Sequence, residues 1–201
     1  MPATSLQDLY TQKLQLLLDA EQQGLSAMPQ LVQQVQNEQL RTALQQHHRQ
    51  TEQQVQRLQQ LMGSRQSGQS MQNNECISMR ALIQEAQMML PNIQDSDTID
   101  AFIIGAQQAI EHHEIAAYGT ARTWAQQLGF DEDADLLQET LDEEGETDHK
   151  LTELAERAIN IEALTGDREV GRGATANADR SSTSSSSSSR STRRDADREA
   201  R

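Results

Sequence analysis

The sequence predicts an all-α protein: a four-helix bundle with one long crossover that carries a short extra helix, followed by a disordered C-terminal tail. Four long windows repeat their apolar residues at alternating spacings of three and four, the period of one helix face. Aromatic residues make up 2% of the 201-residue chain and hydrophobic residues 35%, so the core has to be built from Leu, Ile, Met, Val and Ala. That suits packed helices better than a sheet, and no strand is expected. The three prolines, Pro2, Pro29 and Pro91, leave the long windows almost uninterrupted, and the connections between them run short, long, short.

The first helix is predicted from a capping box at Ser5-Leu6-Gln7-Asp8, with Leu14, Leu17, Glu21, Gly24, Met28, Leu31 and Val35 on its seam and Pro29 inside it. Asn37 is the expected cap of a second helix, which places Leu40, Leu44, His47, Thr51, Val55, Leu58 and Met62 on one face and ends at Gly63. Residues 63–72 carry turn chemistry without a period. Asn73 or Asn74 then caps a short helix through Ile77, Leu82, Ala86 and Leu90, stopped by Pro91.

The third long helix runs from Asp97 to Leu128 and closes on Gly129, with Ile103, Gln107, Ile110, Glu114, Ala117, Ala121, Trp124 and Leu128 along its seam. A fourth is capped by Asp131 and follows Leu137, Leu141, Glu144, Asp148, Leu151, Ala155 and Ala158 to about Gly166. The domain boundary is therefore set at 165/166. From 166 to 201 the apolar period disappears, a serine tract spans 184–189, and the composition is that of a segment with too little to bury.

Charge narrows the partners. The formal charge is −14, and because 166–201 holds eight Arg against six acids, the body 1–165 carries −16. So acidic a body repels nucleic acid and anionic lipid. No basic-then-apolar leader and no membrane-length apolar run is present, and the single Cys76 excludes an internal disulfide, so the cytoplasm is the expected location. Cys76 reads as a small buried residue, and His112 and His113 as surface groups or as groups standing behind the ligands without touching metal. Association is expected to give a symmetric homodimer, because no fifth helix follows the fourth to build a cage.

The seams contain polar intruders at one height. Glu21 lies sixteen residues before the first turn at Asn37 and Thr51 fourteen after it, roughly 24 and 21 Å from that end at about 1.5 Å per residue. Glu114 and Glu144 lie fifteen residues either side of the turn at Gly129, roughly 22 Å from the opposite end. Glu111, Asp148 and His47 fall one turn along, in a second layer about 5 Å away. Five ionised carboxylates around one imidazole would carry about −5, and no seam residue supplies a cation. Two divalent ions would nearly balance that charge, and oxygen donors with a borderline nitrogen suit them.

These residues carry a resemblance. Glu111-His112-His113-Glu114-Ile115-Ala116-Ala117-Tyr118-Gly119, Leu141-Asp142-Glu143-Glu144 with Thr147-Asp148, Asp19-Ala20-Glu21 ahead of Pro29, and His47 with Thr51, Val55, Arg57 and Leu58 resemble the YciE/YciF-type bacterial stress proteins, a ferritin-like family. The paired Glu-x-x-His signature of ferritins and rubrerythrins is absent, and Gln54 occupies a candidate ligand slot. The resemblance implies a ferritin-like bundle with a dinuclear iron centre and a role in stress response. The expected site is Glu21, His47, Glu111, Glu114, Glu144 and Asp148, holding two iron ions or manganese, with reactivity toward oxygen or peroxide. The competing expectation is a metal-free bundle acting as an interaction or structural module.

The tail offers no apolar face to dock. A chain ending at Gly166 should keep its helicity and melting temperature within experimental error by circular dichroism. A drop of several degrees would mean that the tail packs on the bundle.

Overall fold

A computed structural model describes residues 3–65 and 74–165, with Ser64 and Arg65 described by backbone alone. All of these residues belong to the unit Met1–Gly166. The tail expected from 166 onward lies outside the described residues, as do the candidate cap Asn73 and most of the expected loop. No strand is present among the described residues.

Helix α1 spans Leu6–Gln34 and opens on the expected capping box: Ser5 Oγ accepts from Asp8 N at 3.1 Å, and the Asp8 carboxylate accepts from Ser5 N at 3.0 Å. Helix α2 spans Glu38–Arg65 and is capped by Asn37, whose Oδ1 accepts from the backbone of Gln39 and Leu40. It runs past Gly63, its expected end. Glycine ends a helix by entering the left-handed region, and among the described glycines Gly129 alone does so, at φ +74°.

Helix α3 spans Ile77–Met89, followed by a tight turn at Leu90–Asn92 that holds Pro91. Its start departs from expectation. Asn74 instead donates to Gln15 on α1, and Cys76 stands at the cap position without a side-chain bond to the helix backbone, its Sγ lying 3.5 Å from His113 Nε2. Asp19 on α1 takes over the capping role from outside, accepting from Cys76 N at 2.7 Å. The buried face also differs: Met79 and Ala86 are buried with Leu82 and Ile83 packed beside them, while Ile77 is 64% exposed. The step from 77 to 82 is five residues, which is no helical period; 79, 82–83 and 86 restore one.

Helix α4 spans Ser96–Gln127 behind the cap Asp95, which accepts from Thr98 N, and it closes on Gly129. Helix α5 spans Asp131–Leu154, with Phe130 at the cap and Asp131, Glu132 and Asp133 in the first turn. Asp131 is thus the first helical residue, where its charge favours the helix N-terminus. A wide π-type turn at Ala155–Ile159 leads into further helix to residue 165. That turn explains why Ile159, and not Ala158, joins Leu151 and Ala155 in the core. Successive steps of four drift off one face of an α-helix by about 40° each, and an i→i+5 turn absorbs the drift.

The four long helices form a ring in the order α1, α2, α5, α4, and α3 lies over α1 and α4. Neighbours in the ring run antiparallel: Glu21 meets Tyr118 and Asn37 meets Asp100 across α1 and α4, while Gln46 meets Lys150 and Arg57 meets Glu139 across α2 and α5. Two apolar clusters fill the ends. Tyr10, Leu14, Leu17, Leu58, Tyr118 and Leu137 belong to one, and Val35, Leu40, Leu44, Ile103, Leu151 and Ile159 to the other. Between them lies a buried polar layer.

Asp100, 2% exposed, ties the first turn to α4 by accepting from Gln36 N at 2.9 Å and Asn37 N at 2.7 Å. Asp100→Ala leaves both amides without that acceptor and should cost about 2–4 kcal/mol by denaturant unfolding, with Asp100→Asn intermediate. An unchanged midpoint in Asp100→Ala would show that water replaces the carboxylate.

Candidate metal centre

The polar layer is assembled from all four long helices. Glu21 comes from α1, His47, Thr51 and Gln54 from α2, Gln107, Glu111 and Glu114 from α4, and Glu144 from α5, and all are at most 3% exposed. Glu111 and Glu114 are three residues apart and therefore share a helix face. Side-chain atoms of His47, Glu111, Glu114 and Glu144 all lie within 4.8 Å of one another. The two layers expected from residue heights thus merge into one group, since a glutamate side chain spans most of a helical turn.

The remaining expected residues sit differently. Glu21 is buried beside the four, its Oε1 accepting from Tyr118 Oη at 2.5 Å. The rigid Tyr118 ring carries its hydroxyl away from its own helix and across to α1. Asp148 is outside the group: its Oδ1 accepts from Gln108 Nε2 at 2.9 Å and lies 3.4 Å from His112 Nε2, on the partly exposed edge between α4 and α5.

Around His47 the bonding is directional. Nε2 lies 3.1 Å from Glu111 Oε1, while Nδ1 faces Glu144 Oε2 at 4.0 Å and Thr147 Oγ1 at 3.4 Å. Gln107 Nε2 donates to the same Glu111 Oε1 at 2.8 Å. One oxygen of Glu111 is therefore doubly engaged and the other, Oε2, is buried with no hydrogen-bond partner among the described residues. Both oxygens of Glu144 are in the same condition. Its near neighbour Glu111 can bond to it only if one of the two carboxyls is protonated.

Electrostatics follows burial. Desolvation, helped by the charges of Glu111 and Glu143, pushes Glu21 up to about 7 despite the Tyr118 hydrogen bond. Desolvation and the neighbouring glutamates push Glu114 and Glu144 well above the usual carboxylate range. Burial would also raise Glu111 and lower His47, but their mutual hydrogen bond and attraction outweigh it, so Glu111 is lowered and His47 raised. Without cations the layer therefore holds one ion pair and mostly protonated glutamates.

The donor set fits a divalent metal. Three buried carboxylate oxygens lack donors, and a group of carboxylates with one imidazole suits iron or manganese. Gln107 was legible as a seam residue, but its role in orienting Glu111 was not; the i,i+4 spacing to Glu111 is the signal that could have shown it. Gln54 turns away from the candidate ligand slot and donates to Glu143 Oε2 at 3.0 Å.

A ring of four antiparallel helices with carboxylates and histidine in its middle layer defines a ferritin-like bundle. The chain belongs to the YciF-type family described as "Domain of unknown function (DUF892)", which it matches over residues 5–164. It is 37% identical to Protein YciF of Escherichia coli over 163 residues, covering 81% of this chain and 98% of that one. The crystal structure of the E. coli stress protein YciF superposes with a TM-score of 0.73, covering 79% of this chain and 99% of that one. YcfI from Rhodopseudomonas palustris, for which a structural role has been suggested, is 35% identical with a TM-score of 0.70, covering 74% and 94% of the two chains. A protein from Xanthomonas campestris pv. campestris shares the fold at 19% identity and TM-score 0.63, covering 82% and 99%. No helix among the described residues is long and apolar enough to cross a membrane.

Metal-free protein should be most stable at mildly acidic pH. Raised carboxyls such as Glu21 contribute stability that is lost as pH rises through about 7, and raised His47 acts in the same direction. Lowered Glu111 contributes stability lost only as pH falls through its depressed folded value. Melting of chelator-treated protein should therefore decline between pH 6 and 8; a flat profile there would contradict these shifts.

Proposed function

We propose that this chain is a dimetal carboxylate protein of bacterial stress response, holding two divalent ions, iron or manganese, in the polar layer. The observation that carries it is the group of His47, Glu111, Glu114 and Glu144 with three buried carboxylate oxygens left without donors. A stress role is supported by likeness to the E. coli stress protein YciF.

His47, Glu111, Glu114 and Glu144 would hold the ions, with Glu21 beside them. When bound, such ions supply Lewis acidity and one-electron chemistry toward oxygen or peroxide. The chain's own residues prepare the site. Gln107 and His47 engage Glu111 Oε1 and leave Oε2 turned free, and Tyr118 fixes Glu21 against the α1 wall. Glu144, with neither oxygen engaged by a donor, would be free to help hold the ions. With Nε2 directed at Glu111, His47 presents Nδ1 on the Glu144 side. Uptake displaces the protons that otherwise neutralise Glu114 and Glu144, so binding strengthens as pH rises. The apolar end clusters keep bulk water from the layer's two ends.

Chelator-treated protein should take up about two equivalents of manganous or, without oxygen, ferrous ion, and its melting temperature should rise with metal concentration. Glu114→Gln and Glu144→Gln should lose most of that gain while leaving the metal-free bundle as stable or more so, because each removes the cost of protonating a buried carboxyl at nearly constant shape. A wild type that binds no metal and shows no thermal response would leave the metal-free structural module as the function. So would variants destabilised without metal.

A further inference from the structure

A second feature opens onto the same layer. Between α1, α3 and α4 lies a cavity of about 430 Å³ that begins among Gly24, Ala27 and Gln87 and ends on His47, Thr51 and Glu114. Its walls are apolar, formed by Met28, Leu31, Ile83, Ala86, Leu90 and Ile110. The space exists because α1 presents small residues to α3: a Cβ built on Gly24 would meet no atom within 4 Å. The tight turn around Pro91 lines the same cavity, so the crossover roofs it rather than filling it.

We propose that this cavity binds an apolar small molecule bearing one neutral oxygen head group, such as a medium-chain alcohol or aldehyde, with the head directed at the polar layer. The volume falls within the roughly 300–1,000 Å³ of small-molecule sites, and apolar walls with a few polar groups at one end are their usual construction. Hydrocarbon walls gain nothing from water, whereas a chain of methylene groups removes them from it. At the inner end Thr51 Oγ1, which donates to His47 O, can accept from an alcohol O–H, and Gln107 Nε2 keeps one N–H besides the one given to Glu111. An anionic head would be buried beside carboxyl groups with no Lys or Arg in the lining to pair with it, which selects against fatty carboxylates. As a binding site the cavity stands on its own geometry; as a substrate site it rests on the proposed metal centre.

The test uses 1-octanol with chelator-treated and manganese-treated protein, followed by calorimetry and by the methyl NMR signals of Met28, Ile83 and Ile110. Saturable binding of one molecule per chain, with those methyls shifted, is expected in both states. Gly24→Leu fills the cavity from a helical position where leucine is the better helix former, so it should fold and weaken octanol at least about tenfold. Ala27→Leu should act in the same direction, and Gly105→Leu, which lies outside the cavity, should bind as wild type. Absence of saturable binding, or unchanged affinity in both cavity-filling variants, overturns the proposal. Octanol binding with no manganese uptake overturns the metal centre and leaves the cavity site standing; manganese uptake without octanol binding does the reverse.

Discussion

Glu21, Glu111, Glu114 and Glu144 are buried around His47 in one cross-section, and the like charges there have to be neutralised before the bundle can close. Two full charges 4.8 Å apart repel by about 3 kcal/mol at an effective dielectric of 20, and several such pairs would rival the whole stability of a domain. Among the described residues no Lys or Arg reaches the group of four: Arg57 is committed to Glu139 and Glu143 on the outer edge of α2 and α5. Protons or cations are what is left. A proton on Glu144 lets it bond to Glu111, whereas the ionised carboxylate finds no donor at either oxygen and a cation would engage it.

The rest of the fold tolerates this layer by placing its stability elsewhere. Each end is filled by apolar residues drawn from all four long helices, so the bundle is clamped on both sides of its least favourable section. Ala117, Ala121 and Ala125 line the α4 side of one end and let the helices approach closely. The turns are fastened by groups that also belong to the sequence code for helices. Asp100 reaches from α4 to the first turn, and Asp133 in the first turn of α5 accepts from Tyr10 at 2.8 Å. Replacing the layer by hydrocarbon would in general stabilise such a bundle, so the polar residues are better understood as a site than as a scaffold.

Much of this was legible in the residues, because helical period and burial are the same physical fact. The seam positions Glu21, His47, Glu114 and Glu144 are buried for the reason that put them on a seam, namely their spacing from leucines and isoleucines. Glu111 sits off the ideal seam and is still fully buried, because α4 is covered by α1 on one side and α5 on the other. Asp148 illustrates the opposite limit. Its height and period match the site, yet the side chain is bonded to Gln108, since period fixes a face to within a residue's width and not the rotamer. The crossover was least legible: Asp19 capping Cys76 from another helix leaves no trace in local sequence.

The two long sides of the layer are closed differently. Between α2 and α5, Arg57 bonds Glu139, Glu143 and Thr140, and Gln54 adds a third bond to Glu143 beside the two from Arg57, so charged and polar side chains lock that wall. Between α1 and α4 the seam is covered instead by α3, a 13-residue helix fastened near its start through Asp19 and Gln23 on α1 to Cys76. Opening the first wall breaks a charge-assisted network, while displacing α3 parts dispersion contacts of Met79, Leu82, Ile83 and Ala86. The crossover that lets α4 run parallel to α2 also supplies the helix that closes this wall, and the small residues Gly24 and Ala27 of α1 beneath it leave the cavity unfilled.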